Sequence, residues 1–540
     1  MFKIALVFNF KLTTRQKPMN KTIKTVVILS VIFFGVLFFT KSSQAADYYV
    51  KAASGGAGNG SSWTDAWVGL GAINWSTLNN GTNTLYIDGG SSGQSYGNFT
   101  VEHTGSGVLT IRPGSASPSP SGHAGKVTLG AISMGSNDYL RNFVISGENT
   151  VGGGQINMKV TSLHAMATAP QSSLTQVNTK ILYLEITTGG GTNCSNSCID
   201  LTNDTRGWEI GYNYIHDCSG GGIYANNYTS HSNTAFGDNS IHHNTIKYTN
   251  NDGALEAYYG GWDIYNNELA GWTNWSGHGD CHGDAVSAQL TKTRIFNNSF
   301  HDFTQEVFIS MFGAPIDGLY IYNNVFYWTH GSWTEPGILM RNTNGRTTLN
   351  NFRVVNNVFN MNGDVGNIVF SMSAGEDYGL TITNSIIANN IFLPTTADNF
   401  YFGEGGSQTH SYSNTDLRFY RNVYEESDVK SAWHQTFYGS ISSWNTVTGA
   451  SGNNANKQCV TSMTSKSGYD YHLTSSDTCA KDQGLDLAAT YGWTDMGVGW
   501  GKDKDGKTRP SGAWDIGPYE YGTATPDTTP PAAPSGLSIN

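Results

Sequence analysis

Asn213-Tyr-Ile215, Asn244-Thr-Ile246, Asn267-Glu-Leu269, Asn298-Ser-Phe300, Asn324-Val-Phe326, Asn357-Val-Phe359, Asn390-Ile-Phe392 and Asn422-Val-Tyr424 are copies of one short phrase that returns between Tyr212 and Tyr424. The intervals between successive asparagines are 31, 23, 31, 26, 33, 33 and 32, and in five copies the Asn is doubled, as in Asn297-Asn298. A period of this size marks a repeat architecture with one supersecondary unit per repeat. Asp263-Ile-Tyr265, Arg294-Ile-Phe296, Leu319-Tyr-Ile-Tyr322 and Phe352-Arg-Val-Val355 are β-rich and run into an Asn turn, and helix-length amphipathic runs are missing. Strand, Asn corner, strand, repeated along the chain, is what a solenoid of parallel strands requires. Stacked asparagines then bond to their copies in neighbouring coils. Phe300, Phe326, Phe359 and Phe392, each two residues after its anchor, are expected to form an interior row.

On these residues the chain resembles the right-handed parallel β-helix proteins of the pectate-lyase-like group, over roughly residues 130 to 430. The resemblance implies an all-β solenoid and a polysaccharide partner. Lyase or glycoside hydrolase chemistry is the leading expectation, and a non-catalytic surface solenoid that binds glycans is the alternative. Epimerases of this fold carry an Asp-Pro-His-type signature, which is absent here.

A length of 540 residues suggests three or four domains, but a solenoid grows in one dimension and overrides that prior. A net charge of −11 with only 30 basic residues argues against nucleic acid as a partner. Residues 1–45 read as an export signal with its true start at Met19: Lys21 and Lys24 precede an apolar run from Val26 to Phe39, and Ser43-Gln-Ala45 supplies small residues for cleavage. The run is short for a spanning helix, which needs about 20 apolar residues. A secreted or cell-surface monomer, free of the membrane after cleavage, is therefore expected. Cys459 with Cys479, and two of Cys194, Cys198 and Cys218, are candidate disulfides. Residues 46–130 are expected to supply an N-terminal cap and the first coils, 131–430 the parallel β-helix, 431–522 an irregular closing segment and 523–540 a Thr/Pro-rich linker or tail. Ser427 to about Thr464 carries no visible period. Asp503-Lys-Asp505-Gly506 lacks the third Asp and distal Glu of a calcium loop and reads as a hairpin turn.

The densest polar constellation is Trp272-Thr-Asn-Trp275-Ser-Gly-His278-Gly-Asp280-Cys-His282-Gly-Asp284. In an extended chain His278, Asp280, His282 and Asp284 share one face, because strand side chains have period two. Four titratable groups are costly to bury together, so an exposed site is expected. A Gly-rich corner whose Asp and His side chains hold turns is the structural alternative. Similar His-Gly-Asp runs occur at active corners of the β-helices that the chain resembles. Gly253-Ala-Leu255-Glu256, Asp284-Ala-Val286-Ser287, Glu306-Val-Phe308-Ile309 and Gly337-Ile-Leu339-Met340 read as stacked copies, placing Asp284 beside Glu306, with Glu256 close to the same stack. Carboxyls one coil apart suit retaining glycoside cleavage, and two coils apart lies at the long edge of the inverting range. A lyase would instead draw a base and a neutralising cation from His278, His282, Lys292, Arg294 and Arg341. Calcium held by Asp280, Asp284 and backbone carbonyls is chemically reasonable, whereas zinc lacks a second ligand cluster. Trp272, Trp275, Trp333 and Arg341 are the substrate-binding candidates, with Trp328 beside them.

Overall fold

The computed structural model describes residues 45–522, except 54, 115–121, 135–141, 150–152, 167–178, 190–196, 203–206, 227–234, 248–252, 258–259, 272–282, 289–290, 312–314, 330–335, 343–345, 362–365, 373–378, 396–397, 405–412, 415, 434–435 and 498. A typical coil has three strands. First strands, such as Thr293–Phe296 and Ile316–Tyr322, precede the Asn corner. Second strands, such as Ser299–His301 and Val325–Tyr327, follow it at once. Third strands, such as Asp284–Ala288 and Gln305–Ser310, come after a connection of variable length. Each kind pairs in parallel with its copy one coil on, and the first strands stack without interruption from Ala46–Lys51 to Leu417–Tyr420. The chain is a parallel β-helix, and right-handed is the sense that strand twist favours for parallel crossovers.

One column of side chains holds the coils in register. Asn244 Nδ2 donates to Asn267 Oδ1 at 3.0 Å and to the Ile210 carbonyl at 2.9 Å, while its Oδ1 accepts from the backbone N and the Nδ2 of Asn213, both at 3.0 Å. The same pattern repeats through Asn267, Asn298, Asn324, Asn357, Asn390 and Asn422. Both ends of each buried amide are used, so the column carries no unmet polar group. It reaches one coil further than the sequence period: Asn456 accepts from Asn422 at 3.0 Å. That copy is hidden in the sequence because Lys457-Gln458 follows it in place of an apolar strand core. The stretch without a visible period also contains Ser431–Trp433, a return strand Thr436–Tyr438 and a helix Ile441–Thr448.

The residue before each ladder Asn has a left-handed backbone, with φ between 54° and 59° from Tyr212 to Arg421. Asn tolerates that conformation better than most residues, which accounts for the doubled asparagines. They have a second use. Asn323 accepts from Arg509 Nη2 at 3.0 Å and donates to the Lys502 carbonyl at 2.8 Å, and Asn389 makes two 2.9 Å bonds to the Leu485 backbone. The closing segment therefore lies over the corner. It packs Met496 and Trp514 on Tyr320, Tyr322 and Val355 on one side, and Tyr471 and Ile516 on Val358 and Ile391 on the other. Within it, Asp503 accepts the amides of Asp505, Lys507 and Glu520 at 2.7–3.0 Å, so its oxygens hold a hairpin turn.

Phe300, Phe326, Phe359, Phe392 and Tyr424 stack inside the coil with centroids 4.7–5.2 Å apart, each at most 1% exposed. Trp67 is buried in the core at the N-terminal end, and Trp444 at the C-terminal end donates to the Tyr424 hydroxyl at 3.0 Å. Cys198 pairs with Cys218 and Cys459 with Cys479. No helix among the described residues is long and apolar enough to cross a membrane. Residues 1–44 and 523–540, with the export signal and tail read there, lie outside the described residues.

Phe326→Ala is expected to cost about 3–5 kcal/mol, because the ring is enclosed on both faces. Asn324→Ala leaves several buried partners unmet and is expected to cost about 3 kcal/mol or more. Urea unfolding of both variants checks this; an unchanged midpoint for Asn324→Ala would show that the ladder does not hold the coils.

Candidate functional site

The connections between second and third strands vary widely in length. The one at 302–304 is short, whereas the coils on either side use the longer stretches 271–283 and 328–337. The short corner is held from both neighbours. Thr304 donates from its amide at 2.9 Å and its hydroxyl at 2.8 Å to the Gly283 carbonyl, and Asp302 accepts from the Thr329 amide at 2.7 Å. Gly271 is required below it, since a Cβ there would lie 1.9 Å from the Asp302 carbonyl oxygen.

Three carboxyl groups gather at this corner, and all are buried: Asp284 at 1%, Asp302 at 6% and Glu306 at 0% exposure. Burial pushes the Glu306 carboxyl well above its usual range. A 3.4 Å bond from the Phe303 amide opposes the shift, and the charges of Asp302 and Asp284 add to it. Glu306 Oε2 has no hydrogen-bond partner among the described residues. Beside them His301 sits 2.7 Å from Asp302 and 3.8 Å from Glu268, which is also bonded to Lys247 at 2.9 Å. Burial disfavours the imidazolium, but the two carboxylates outweigh it and raise the His301 pKa.

This arrangement corrects two expectations. Asp284 and Glu306 do not face solvent. Nor are they in register: Asp284 lies opposite Gln305, because Val286 pairs with Val307. Aligning Asp284 with Glu306 would set the interior Val286 against Phe308 on the other face, the consequence of a one-residue slip. The other two steps of the alignment hold, with Leu255 opposite Val286 and Val307 opposite Ile338. Glu256 is two coils and two positions along the strand from the Glu306 column, about 12 Å away by strand geometry, so it does not join the buried carboxyls. Arg341 is exposed on the third strand of the next coil, four positions further along than that column. Arg294 and Lys292 are not available to a lyase here. Arg294 is held bidentately by Asp263 at 2.6 Å on a first strand, and Lys292 pairs with Asp317 beside it. Trp272, Trp275, His278, Asp280, His282 and Trp333 lie outside the described residues. Among the described residues no group of three or more His, Cys, Asp or Glu has metal-holding geometry.

The third strands carry a second constellation. Leu163, Ile199, Ile223, Leu255, Val286 and Val307 face the interior at 0% exposure. The residues after them, His164, Asp200, Tyr224, Glu256, Ser287 and Phe308, form one outward row of half-buried side chains, one per coil. His164 Nδ1 lies 3.8 Å from Asp200 Oδ2. Asp200 and Glu256 are two coils apart, about 9.6 Å along the stack, with Tyr224 between them. Only Glu256 stands out among these in the sequence. The available signal is an ionisable or aromatic residue between two apolar ones, as in Ile199-Asp200-Leu201 and Leu255-Glu256-Ala257.

Glu306 binds its proton more tightly folded than unfolded, so its contribution to stability is full below about pH 4.5 and is lost as pH rises through the higher folded value. Glu306→Gln is expected to match the wild type near pH 4 and to exceed its melting temperature at neutral pH. A wild-type advantage at neutral pH would mean that the carboxylate is ionised and paired.

No protein family and no curated protein matches the sequence at a significant level. Among solved structures, the chain is similar to pectate lyase Pel9A, at 11% identity over 89% of this chain and 97% of that one, with a TM-score of 0.36. It is also similar to the GH136 lacto-N-biosidase from Eubacterium ramulus, at 9% identity over 76% and 68% of the respective chains, with a TM-score of 0.23. The assignment of the chain to the parallel β-helix architecture rests on its own strand pairing.

Proposed function

We propose that this protein binds a polysaccharide along the outward row of its third strands and hydrolyses it there, with Asp200 and Glu256 as the acid–base pair. The row is the observation that supports this reading. Two carboxyls, an imidazole and a tyrosine occupy one half-buried position on four successive coils. The register puts these residues in line, and a linear polymer lying along the stack meets each in turn. Tyr224 offers an apolar ring with a polar tip, the combination suited to a sugar. The strands that bear them are about 9.6 Å apart, just beyond the roughly 6.5–9.5 Å between carboxyl groups at which inverting enzymes leave room for a water. Asp200, beside His164, takes the proton of that water, and Glu256 gives one to the leaving oxygen. The proposal assigns His278, Asp280, His282, Trp272, Trp275 and Trp333 to substrate contacts on the connections between second and third strands. Asp284, Asp302 and Glu306 become a buried support rather than reacting groups. The two disulfides support export to an oxidising compartment.

Incubation with a panel of neutral and acidic polysaccharides tests the reading. New reducing ends without ultraviolet-absorbing unsaturated ends are expected. Asp200→Asn and Glu256→Gln should each lower turnover by about 10²-fold or more while leaving the melting curve in place. Unsaturated ends would establish elimination instead, and tight binding without any product would establish a non-catalytic glycan-binding solenoid.

A further inference from the structure

The outward row continues past Ser287 and changes character. Its next members are Phe308, Leu339, Val369 and Tyr401, and none carries a charge at neutral pH. After Tyr401 comes Ala432, on the last third strand, whose neighbour Trp433 packs inside against Phe419 and Trp444. Ala432 therefore faces out. The return strand Thr436–Tyr438 pairs antiparallel with this one and sets Phe437 directly opposite Ala432, where paired residues share a face. The small Ala432 side chain lets the rings of Tyr401 and Phe437 meet across it, with centroids 6.3 Å apart. Phe437 is 63% exposed, an unusual cost for a phenylalanine on a strand appended to the final coil.

We infer that Tyr401 and Phe437 form an aromatic platform for a neutral polysaccharide of pyranose rings, which extends along the helix axis from the Asp200–Glu256 pair. The inference rests on the polysaccharide reading of the same row and adds the direction of the bound chain and its charge class. Five coil rises of about 4.8 Å separate Glu256 from Tyr401, so only a chain spanning about 24 Å engages both. Ring faces of a sugar lie flat on exposed aromatic carbon, and between the pair and the platform the row holds Phe308, half-buried, and Leu339 and Val369, both buried, so no charged member of the row has to be desolvated there. Charge complementarity selects the class. The row is acidic at Asp200 and the whole chain carries −11, against one exposed cation, Arg341, two positions beyond Leu339 on the same face, so a polyanion is disfavoured relative to a neutral polymer.

The test measures affinity of the full chain for a neutral polysaccharide, for short oligomers cut from it and for polygalacturonate, in wild type and in Tyr401→Ala, Phe437→Ala and the double variant. Melting curves serve as the folding control. Each ring lost is expected to weaken binding of the polymer by up to about tenfold, with affinity for oligomers shorter than the span unchanged. Unchanged polymer affinity in a folded double variant overturns the platform and leaves the polysaccharide reading standing. Tighter binding of polygalacturonate than of any neutral polymer overturns the charge class. A wild type that binds no glycan removes both the platform and the reading beneath it.

Discussion

The hydrogen bond between the side-chain amide of one asparagine and that of the next is the interaction on which this molecule depends. Each amide also bonds a backbone carbonyl of the coil before it, as Asn298 does with Ile264 at 2.9 Å. The ladder therefore fixes the distance between coils and also their register. Register matters more in a β-helix than in most folds, since a shift of one residue exchanges inside for outside along a whole strand. The asparagines from Asn213 to Asn456 suppress that slip. The phenylalanine stack two residues on adds apolar burial to the same coils, but rings that slide over one another do not choose a register. The amides do.

A fixed register is what turns scattered residues into rows. The third strands are tied to the ladder through connections as short as 302–304 and as long as 271–283, yet they pair without drift from Met158–Met166 to Ser431–Trp433. Because of that, His164, Asp200, Tyr224 and Glu256 come from four separate stretches of sequence and form one line. The short corner at 302–304 has the opposite effect. It places Asp302 and Glu306 beside Asp284 with all three buried, and burial raises the pKa of the Glu306 carboxyl.

The solenoid is legible in the sequence because its determinant is local: an Asn, a turn and an apolar residue recur within three positions, coil after coil. The interior phenylalanines are legible for the same reason. The covering of the corner by residues 457–522 is not, because Arg509 meets Asn323 across 186 residues and no spacing announces it. The doubled asparagines belong to the repeat and also receive that segment. The site is harder still. His278, Asp280, His282 and Asp284 draw attention because they are adjacent, whereas Asp200 and Glu256 are ordinary residues until pairing aligns them. Matching polar residues to each other sets Asp284 against Glu306; the interior valines, which carry the burial energy, decide the pairing.

A crystal structure of the protein soaked with an oligosaccharide long enough to span five coils tests the central claim most directly. The account predicts sugar rings lying parallel to the helix axis over Asp200, Tyr224 and Glu256, on the outward face of the third strands. Sugar bound instead across the first strands, or over the second strands beside His301 and Glu268, would contradict it.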